Sequence, residues 1–161
     1  MTDATAGAKE RSAAHTTFTL ERDYPVAPAR VFAAWADSDS RYRWFVQEEG
    51  WKLTKYEFDF RIGGRETGRF SQKGVAVYTQ EGLYYDIQPA RRIVFAYSMK
   101  RDEDLISTSL VTIVLHKAGA TGTRLVFTEQ GAFLDGLDQA SEREAGWNDL
   151  LDRLGRELGG K

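Results

Sequence analysis

A single long amphipathic stretch near the C-terminus constrains the fold of this chain more than any other feature. Residues 141–158 predict one helix, which carries a Gly-Trp pair at residues 146–147. Its apolar side chains recur at spacings of three, four and seven residues and form one stripe: Ala140, Trp147, Leu151, Leu154 and Leu158. A helix with one apolar stripe has to bury that stripe against another layer of the protein.

The layer available to this helix is a sheet. Alternating apolar residues, interrupted by Gly, Pro or charged turns, predict strands at residues 16–24, 53–62, 65–71, 75–87, 93–97, 108–116 and 123–130. Gly82 suggests a bulge or bend in the fourth of these strands, and residues 101–106 a charged turn. Pro28 suits the first turn of a helix that follows the first strand, and residues 37–42 form a polar break or a short second helix. Because helices and strands are segregated along the chain, the fold class is α+β.

Composition narrows the function classes. A chain of 161 residues predicts one domain, here residues 16–160, after a flexible tail at residues 1–15 that lacks the apolar core of a secretory signal. The net charge of −2 and the absence of a long basic run weigh against nucleic acid as a partner. No apolar run is long enough for a membrane span, and we expect a cytoplasmic protein. With no Cys, and with His15 and His116 far apart and without carboxylate neighbours, we expect no metal and no cofactor.

Several local segments, taken in order, resemble a known superfamily. They are VAPARVFAAWAD (26–37), the following Trp44, RIGGR (61–65), EGLYYDIQPARRIVFAY (81–97), GTRLVFTEQG (122–131) and GWNDLLDRL (146–154). The chain resembles the SRPBCC (START-related, pollen-allergen-like) superfamily, and within it the activator of heat-shock protein 90 ATPase homologue-like group. The resemblance implies a helix-grip fold, in which a curved seven-stranded antiparallel sheet wraps around the C-terminal helix. It also implies an interior cavity between the sheet, that helix and two short helices.

Aromatic residues are the first candidates to line such a cavity. Trp147 lies at the centre of the helix stripe, where it either walls a pocket or packs in the core. Tyr84 and Tyr97 lie on strands and either offer hydroxyl groups to a ligand or pack in the sheet. Phe127 is expected on the inward face of the last strand, and Trp44 either caps the cavity opening or packs between loop and sheet.

Three charged residues complete the candidate site. Leu125, Phe127 and Glu129 share one face of the last strand, so Glu129 points inward unless the strand changes geometry near Gly131 and leaves it solvated. A carboxylate in apolar surroundings has a raised pKa and can act as an acid or base. Arg143 and Glu144 lie near Trp147 on the helix, where they either orient a polar ligand group or extend along the helix edge.

Three classes of function remain open. The first is binding of a hydrophobic or amphipathic small molecule in the cavity. The second is an enzyme, such as a cyclase or hydrolase, acting on a hydrophobic substrate with Glu129 or a Tyr as the proton-transfer group. The third is a protein-interaction domain of co-chaperone type, although co-chaperone members of the superfamily use an additional domain for which this chain has no room. Homodimerisation is possible in each case.

Overall fold

The computed structural model of the protein describes residues 10–159. Seven strands are present: β1 (Ala13–Tyr24), β2 (Lys52–Phe58), β3 (Arg65–Gln72), β4 (Ala76–Gln88), β5 (Arg92–Arg101), β6 (Asp104–Ala118) and β7 (Gly122–Leu134). They form one antiparallel sheet in the order β1-β7-β6-β5-β4-β3-β2. The helices are α1 (Pro28–Ala36), α2 (Ser38–Arg41), which continues into a π-helical segment (Tyr42–Val46), and α3 (Ala140–Glu157). The predicted α+β helix-grip fold is therefore confirmed.

The long helix α3 buries the predicted stripe on the sheet. Trp147, Leu151 and Leu154 are buried, and their apolar contacts hold the helix in place. The hydroxyl of Tyr24 in β1 donates a hydrogen bond of 2.7 Å to the carbonyl oxygen of Leu151, which ties the edge of the sheet to the helix. No helix within residues 10–159 has both the length and the apolar surface needed to cross a bilayer.

The first strand begins earlier than predicted. His15 pairs with Ala132 within the β1–β7 ladder, so the predicted boundary of a flexible tail at residue 15 is wrong. Ala13, Ala14 and His15 are all exposed and show no alternation of apolar and polar residues, so this end of β1 lacks the pattern of a half-buried strand. The rest of the predicted tail, residues 1–9, lies outside the described residues.

The strand ends also differ from the prediction around RIGGR. Strand β2 ends at Phe58, and the next six residues form a compact turn in which Arg61 Nε donates to Asp59 Oδ2 at 2.7 Å. Gly64 is required there, because a Cβ atom would lie 2.1 Å from the carbonyl oxygen of Asp59. The register shift in β4 lies between Tyr84 and Asp86, not at the predicted Gly82.

The last two strands are longer than predicted. Strand β6 begins at Asp104, so only residues 102–103 separate it from β5 and the predicted charged turn at 101–106 is too wide. Strand β7 continues through Gly131 to Leu134, and its inward face stays buried along this length. The alternative in which the strand distorts and exposes Glu129 is therefore wrong, since Glu129 is 0% exposed.

Candidate functional site

An open cleft of about 480 Å³ lies beside α3, along the part of the helix from Glu142 to Arg153. Its other walls are the π-helical segment with the loop after it, the loop before α3, and parts of strands β3, β4, β5 and β6. Six aromatic side chains line it: Phe45, Trp51, Phe70, Tyr78, Tyr97 and Trp147. Pockets that bind small molecules have volumes of roughly 300–1,000 Å³ and mostly apolar walls. The cleft therefore has the size and lining of a ligand site.

The carboxyl group of Glu129 lies behind this cleft. The alternation of β7 turns Glu129 inward, and Tyr97, two strands away on β5, donates its hydroxyl proton in a short hydrogen bond to Glu129 Oε1. Trp147 Nε1 lies 3.2 Å from both Glu129 Oε1 and the Tyr97 hydroxyl oxygen. Glu129 Oε2 is buried and has no hydrogen-bond partner among residues 10–159. One oxygen of this carboxyl group is therefore unsatisfied.

Arg143 on the first turns of α3 closes the same network. Its Nη1 donates to the Tyr97 hydroxyl at 2.9 Å, and its Nη2 donates to Asp138 Oδ2 at 2.5 Å and to Ser107 Oγ at 2.8 Å. The distance from Nη1 to Glu129 Oε2 is 3.8 Å, which is an ion-pair distance but not a hydrogen bond. The guanidinium is thus held in one position by groups from β5, β6 and the loop before α3.

Burial dominates the electrostatics of Glu129. It raises the pKa of the Glu129 carboxyl above its usual value of 4.5, although the Tyr97 hydroxyl, Arg143 and Trp147 act in the opposite direction. Burial also raises the pKa of Tyr97, so its hydroxyl stays protonated. A carboxyl group of this kind can bind or release a proton, and a positive charge brought close to it would favour the ionised form.

This raised pKa predicts a pH dependence of stability. Because the folded state favours the protonated form of Glu129, this carboxyl group adds its full share to the free energy of unfolding below the unfolded-state pKa of about 4.5. That share is lost as the pH rises through the higher folded-state pKa. We expect the free energy of unfolding of the wild type, relative to Glu129→Gln, to decrease between pH 4 and pH 8. Urea unfolding of both proteins across this range measures the difference, and a difference that grows with pH would contradict the assignment.

Comparison with known proteins places the chain in a family. The model of the family described as Activator of Hsp90 ATPase homolog 1-like protein matches residues 25–159. The chain belongs to this family. The resemblance to the SRPBCC superfamily and to this group within it is thereby confirmed. No curated protein matches the chain at a significant level.

Solved structures support the same assignment. The Mll3558 protein from Rhizobium loti is 46% identical, with a TM-score of 0.85 over 91% of this chain and 99% of that one. An uncharacterized protein from Rhizobium leguminosarum is 38% identical, with a TM-score of 0.87 over 93% and 98%. An AHSA1-like protein from Aeromonas hydrophila is 19% identical, with a TM-score of 0.61 over 89% and 92%, and shows the shared fold. The SRPBCC fold of this family commonly binds hydrophobic ligands.

The eight predicted site residues differ in where they lie relative to the cleft. Tyr97, Arg143 and Trp147 line the cleft, and Glu129 is bonded to Tyr97 and Trp147 behind it. Phe127 does not line the cleft and packs against the Trp147 ring at a centroid distance of 4.4 Å. The remaining three also lie away from the cleft lining: Trp44, Tyr84 and Glu144. A ligand role for any of these residues stays a prediction.

Trp44 and Tyr84 are buried in the core. The Trp44 indole donates to the carbonyl oxygen of Ala34 at 2.8 Å, and its ring packs on Trp35 at 4.7 Å. Tyr84 is 2% exposed and lies 3.3 Å from Glu66 Oε1. Glu144 is half-buried on α3, and its backbone carbonyl accepts a hydrogen bond from the Asn148 side chain.

A second buried polar cluster was not predicted from the sequence. Arg41 Nε and Nη2 form a bidentate ion pair with Glu66 at 3.0 and 2.8 Å, and the Tyr56 hydroxyl donates to Glu66 Oε2 at 2.5 Å. Both members of the pair are almost fully buried, with side-chain exposures of 0% and 2%. Along β3, Arg65 is exposed and Glu66 is buried, so strand alternation could have indicated the inward position of Glu66. Arg41 lies in a polar segment that has no such periodicity.

The cleft also contains residues that sequence reasoning passed over. Trp51 lies in the loop before β2, and Met99 lies on β5, past the predicted end of that strand. The rings of Trp51 and Tyr78 meet edge to face at 5.6 Å. Strand parity indicated which residues share a face, but β5 was predicted to end at residue 97 and continues to Arg101.

Gly146 on α3 offers a direct way to alter the cleft. It lines the cleft, and a Cβ atom there would meet no heavy atom within 4 Å. Glycine in a helix interior is about 1 kcal/mol less favourable than alanine. We therefore expect Gly146→Ala to raise the free energy of unfolding by about 1 kcal/mol, measured by urea denaturation. A loss of stability would show that this helical turn needs glycine.

Proposed function

We propose that this protein binds an amphipathic small molecule in the cleft, with the apolar part of the ligand against the aromatic walls and its polar group toward the charged side chains of the lining. The observation that carries the proposal is the group of six aromatic side chains around about 480 Å³ of open space. Burial of apolar ligand surface there contributes roughly 25 cal/mol per Å² before the costs of association.

The interior beneath α3 supports the cleft as the binding place. Trp147 packs on Phe127 at 4.4 Å and on Trp35 at 6.4 Å, so the space between the helix and the sheet is occupied by aromatic rings. The wall of the cleft formed by Trp147 and Tyr97 is rigid, because both side chains are hydrogen-bonded to Glu129. A rigid wall reduces the entropy that binding has to offset.

Gly146→Leu provides a test of this function. Gly146 lines the cleft and a Cβ atom there would meet no heavy atom within 4 Å, so we expect a leucine to occupy space in the cleft; leucine also favours the helix. We expect the neutral solvatochromic dye Nile red to bind the wild type and to bind Gly146→Leu roughly tenfold more weakly or worse, which corresponds to about 1.4 kcal/mol.

Ala145→Leu is the matched control for this experiment. Ala145 precedes Gly146 on the same helix, is exposed and does not line the cleft. It should leave Nile red binding unchanged, and circular dichroism should show that both variants are folded. Equal binding by the wild type and Gly146→Leu would place the dye elsewhere and overturn the proposed site. Native mass spectrometry of the purified protein would then identify any co-purifying molecule.

A further inference from the structure

We propose that the cleft selects ligands with a positively charged, amine-type head group next to an aromatic or apolar body. This inference rests on the proposed function and specifies the charge of the ligand. Two features carry it: the aromatic walls, and the three lining carboxylates that have no ion-pair partner.

The aromatic walls favour a cation. The faces of aromatic rings carry negative electrostatic potential, and clusters of rings bind ammonium groups by cation–π contacts. The Tyr97 ring already has one such contact, since the Arg143 guanidinium carbon lies 5.4 Å from its centroid. Trp51 and Tyr78, in edge-to-face contact at 5.6 Å, offer further ring surface in the cleft.

The charged side chains that line the cleft and form no ion pair are mainly negative. Three lining carboxylates, Glu48, Glu142 and Asp149, form no ion pair or side-chain hydrogen bond with any of residues 10–159. Arg143, by contrast, is engaged with Asp138 at 2.5 Å and with Tyr97 and Ser107. An anionic ligand would have to compete with Asp138 for this guanidinium.

Two other arginines line the cleft and reduce this negative excess without cancelling it. Arg153 donates a hydrogen bond to the carbonyl oxygen of Gln47, and Arg101 has no ion-pair partner among the described residues. Together they place two positive charges against the three unpaired carboxylates. Glu129, when ionised, adds a further negative charge behind the wall.

Glu129 lies behind the wall of the cleft. Its Oε1 is hydrogen-bonded to Tyr97 and Trp147, both of which line the cleft. The positive charge nearest to its buried Oε2 is Arg143, whose Nη1 lies 3.8 Å away. Glu129 therefore acts on a ligand in the cleft only through the charge of its ionised form.

A matched set of probes tests the charge preference. The three probes share a naphthalene body and differ in the head group: 1-naphthylmethylamine, 1-naphthalenemethanol and the carboxylate 1-naphthaleneacetate. We expect isothermal titration calorimetry at neutral pH to show the amine binding roughly fivefold to thirtyfold more tightly than the alcohol, and the acetate binding more weakly than the alcohol.

Two variants locate the source of the preference. Glu129→Gln keeps an oxygen for Tyr97 and Trp147 but removes the charge, and Glu142→Gln combined with Asp149→Asn removes two charges from the cleft. Each should reduce the advantage of the amine over the alcohol by severalfold, measured as the ratio of the two dissociation constants within the same variant. The control Glu21→Gln combined with Glu81→Gln removes the same net charge from residues outside the cleft lining, and the preference should persist.

The possible results separate this inference from the proposed function. If the alcohol or the acetate binds as tightly as the amine, the charge preference is overturned and the cleft remains a binding site. If the amine fails to bind, the inference is likewise overturned, and Nile red binding by the wild type and Gly146→Leu decides independently whether the cleft binds ligands.

Discussion

Glu66→Ala should lower the free energy of unfolding by about 3–5 kcal/mol, because it leaves the buried Arg41 guanidinium without its carboxylate. Arg41 is 0% exposed, and its guanidinium carbon lies 3.8 Å from the centroid of the Phe45 ring. Burial acts to lower the pKa of Arg41, but the Glu66 carboxylate outweighs it, so the pKa is raised and Arg41 stays charged. The loss therefore leaves an uncompensated buried charge, the most costly outcome for such a pair.

The Arg41–Glu66 pair also joins separate parts of the fold. Arg41 is the last residue of α2, and Glu66 lies on β3, so the ion pair holds the short helices to the sheet. The Tyr56 and Tyr84 hydroxyls lose their acceptor as well. Urea denaturation followed by circular dichroism measures the effect.

Two further variants make this prediction specific. Asp23→Ala removes the carboxylate of the exposed Asp23–Arg124 pair and should leave the unfolding midpoint almost unchanged. Replacing both members of the buried pair, with Arg41→Met and Glu66→Leu, should cost less than Glu66→Ala alone, because no isolated charge remains. A Glu66→Ala protein as stable as the wild type would show that water reaches Arg41 freely.

Trp147→Ala should have a comparable effect, a loss of about 3–5 kcal/mol in the free energy of unfolding. Trp147 is 3% exposed and packs on Phe127, Phe45 and Trp35 at centroid distances of 4.4, 5.8 and 6.4 Å. Its removal leaves a void at the contact between α3, the sheet and the short helices. The indole hydrogen bonds to Tyr97 and Glu129 are lost at the same time.

Trp51→Ala is the matched control for Trp147→Ala. It removes the same side chain from a half-buried position in the cleft, where Tyr78 is the ring in contact. We expect a clearly smaller loss of stability, because solvent can fill the space that the ring leaves. Circular dichroism should follow both unfolding curves, since each variant lacks one of the four Trp residues that give the fluorescence signal. Equal losses would mean that Trp147 is not a central contact of the core.

Local sequence patterns determined much of this fold. The apolar stripe of α3 indicated the buried residues Trp147, Leu151 and Leu154, and strand parity placed Glu129 inward. The Gly63-Gly64 pair marked the turn after β2. These features are legible because helix and strand periodicity depend only on neighbouring residues.

The tertiary structure alone decided which of these faces meet. Arg41 and Glu66 are 25 residues apart, and Arg143 reaches Tyr97 across 46, so no local period relates the members of either pair. The cleft lies where strands β3, β4 and β5 meet the π-helical segment and α3, and strand parity does not specify which distant segments meet. Periodicity assigns a side chain to a face, whereas its partners depend on how distant segments pack.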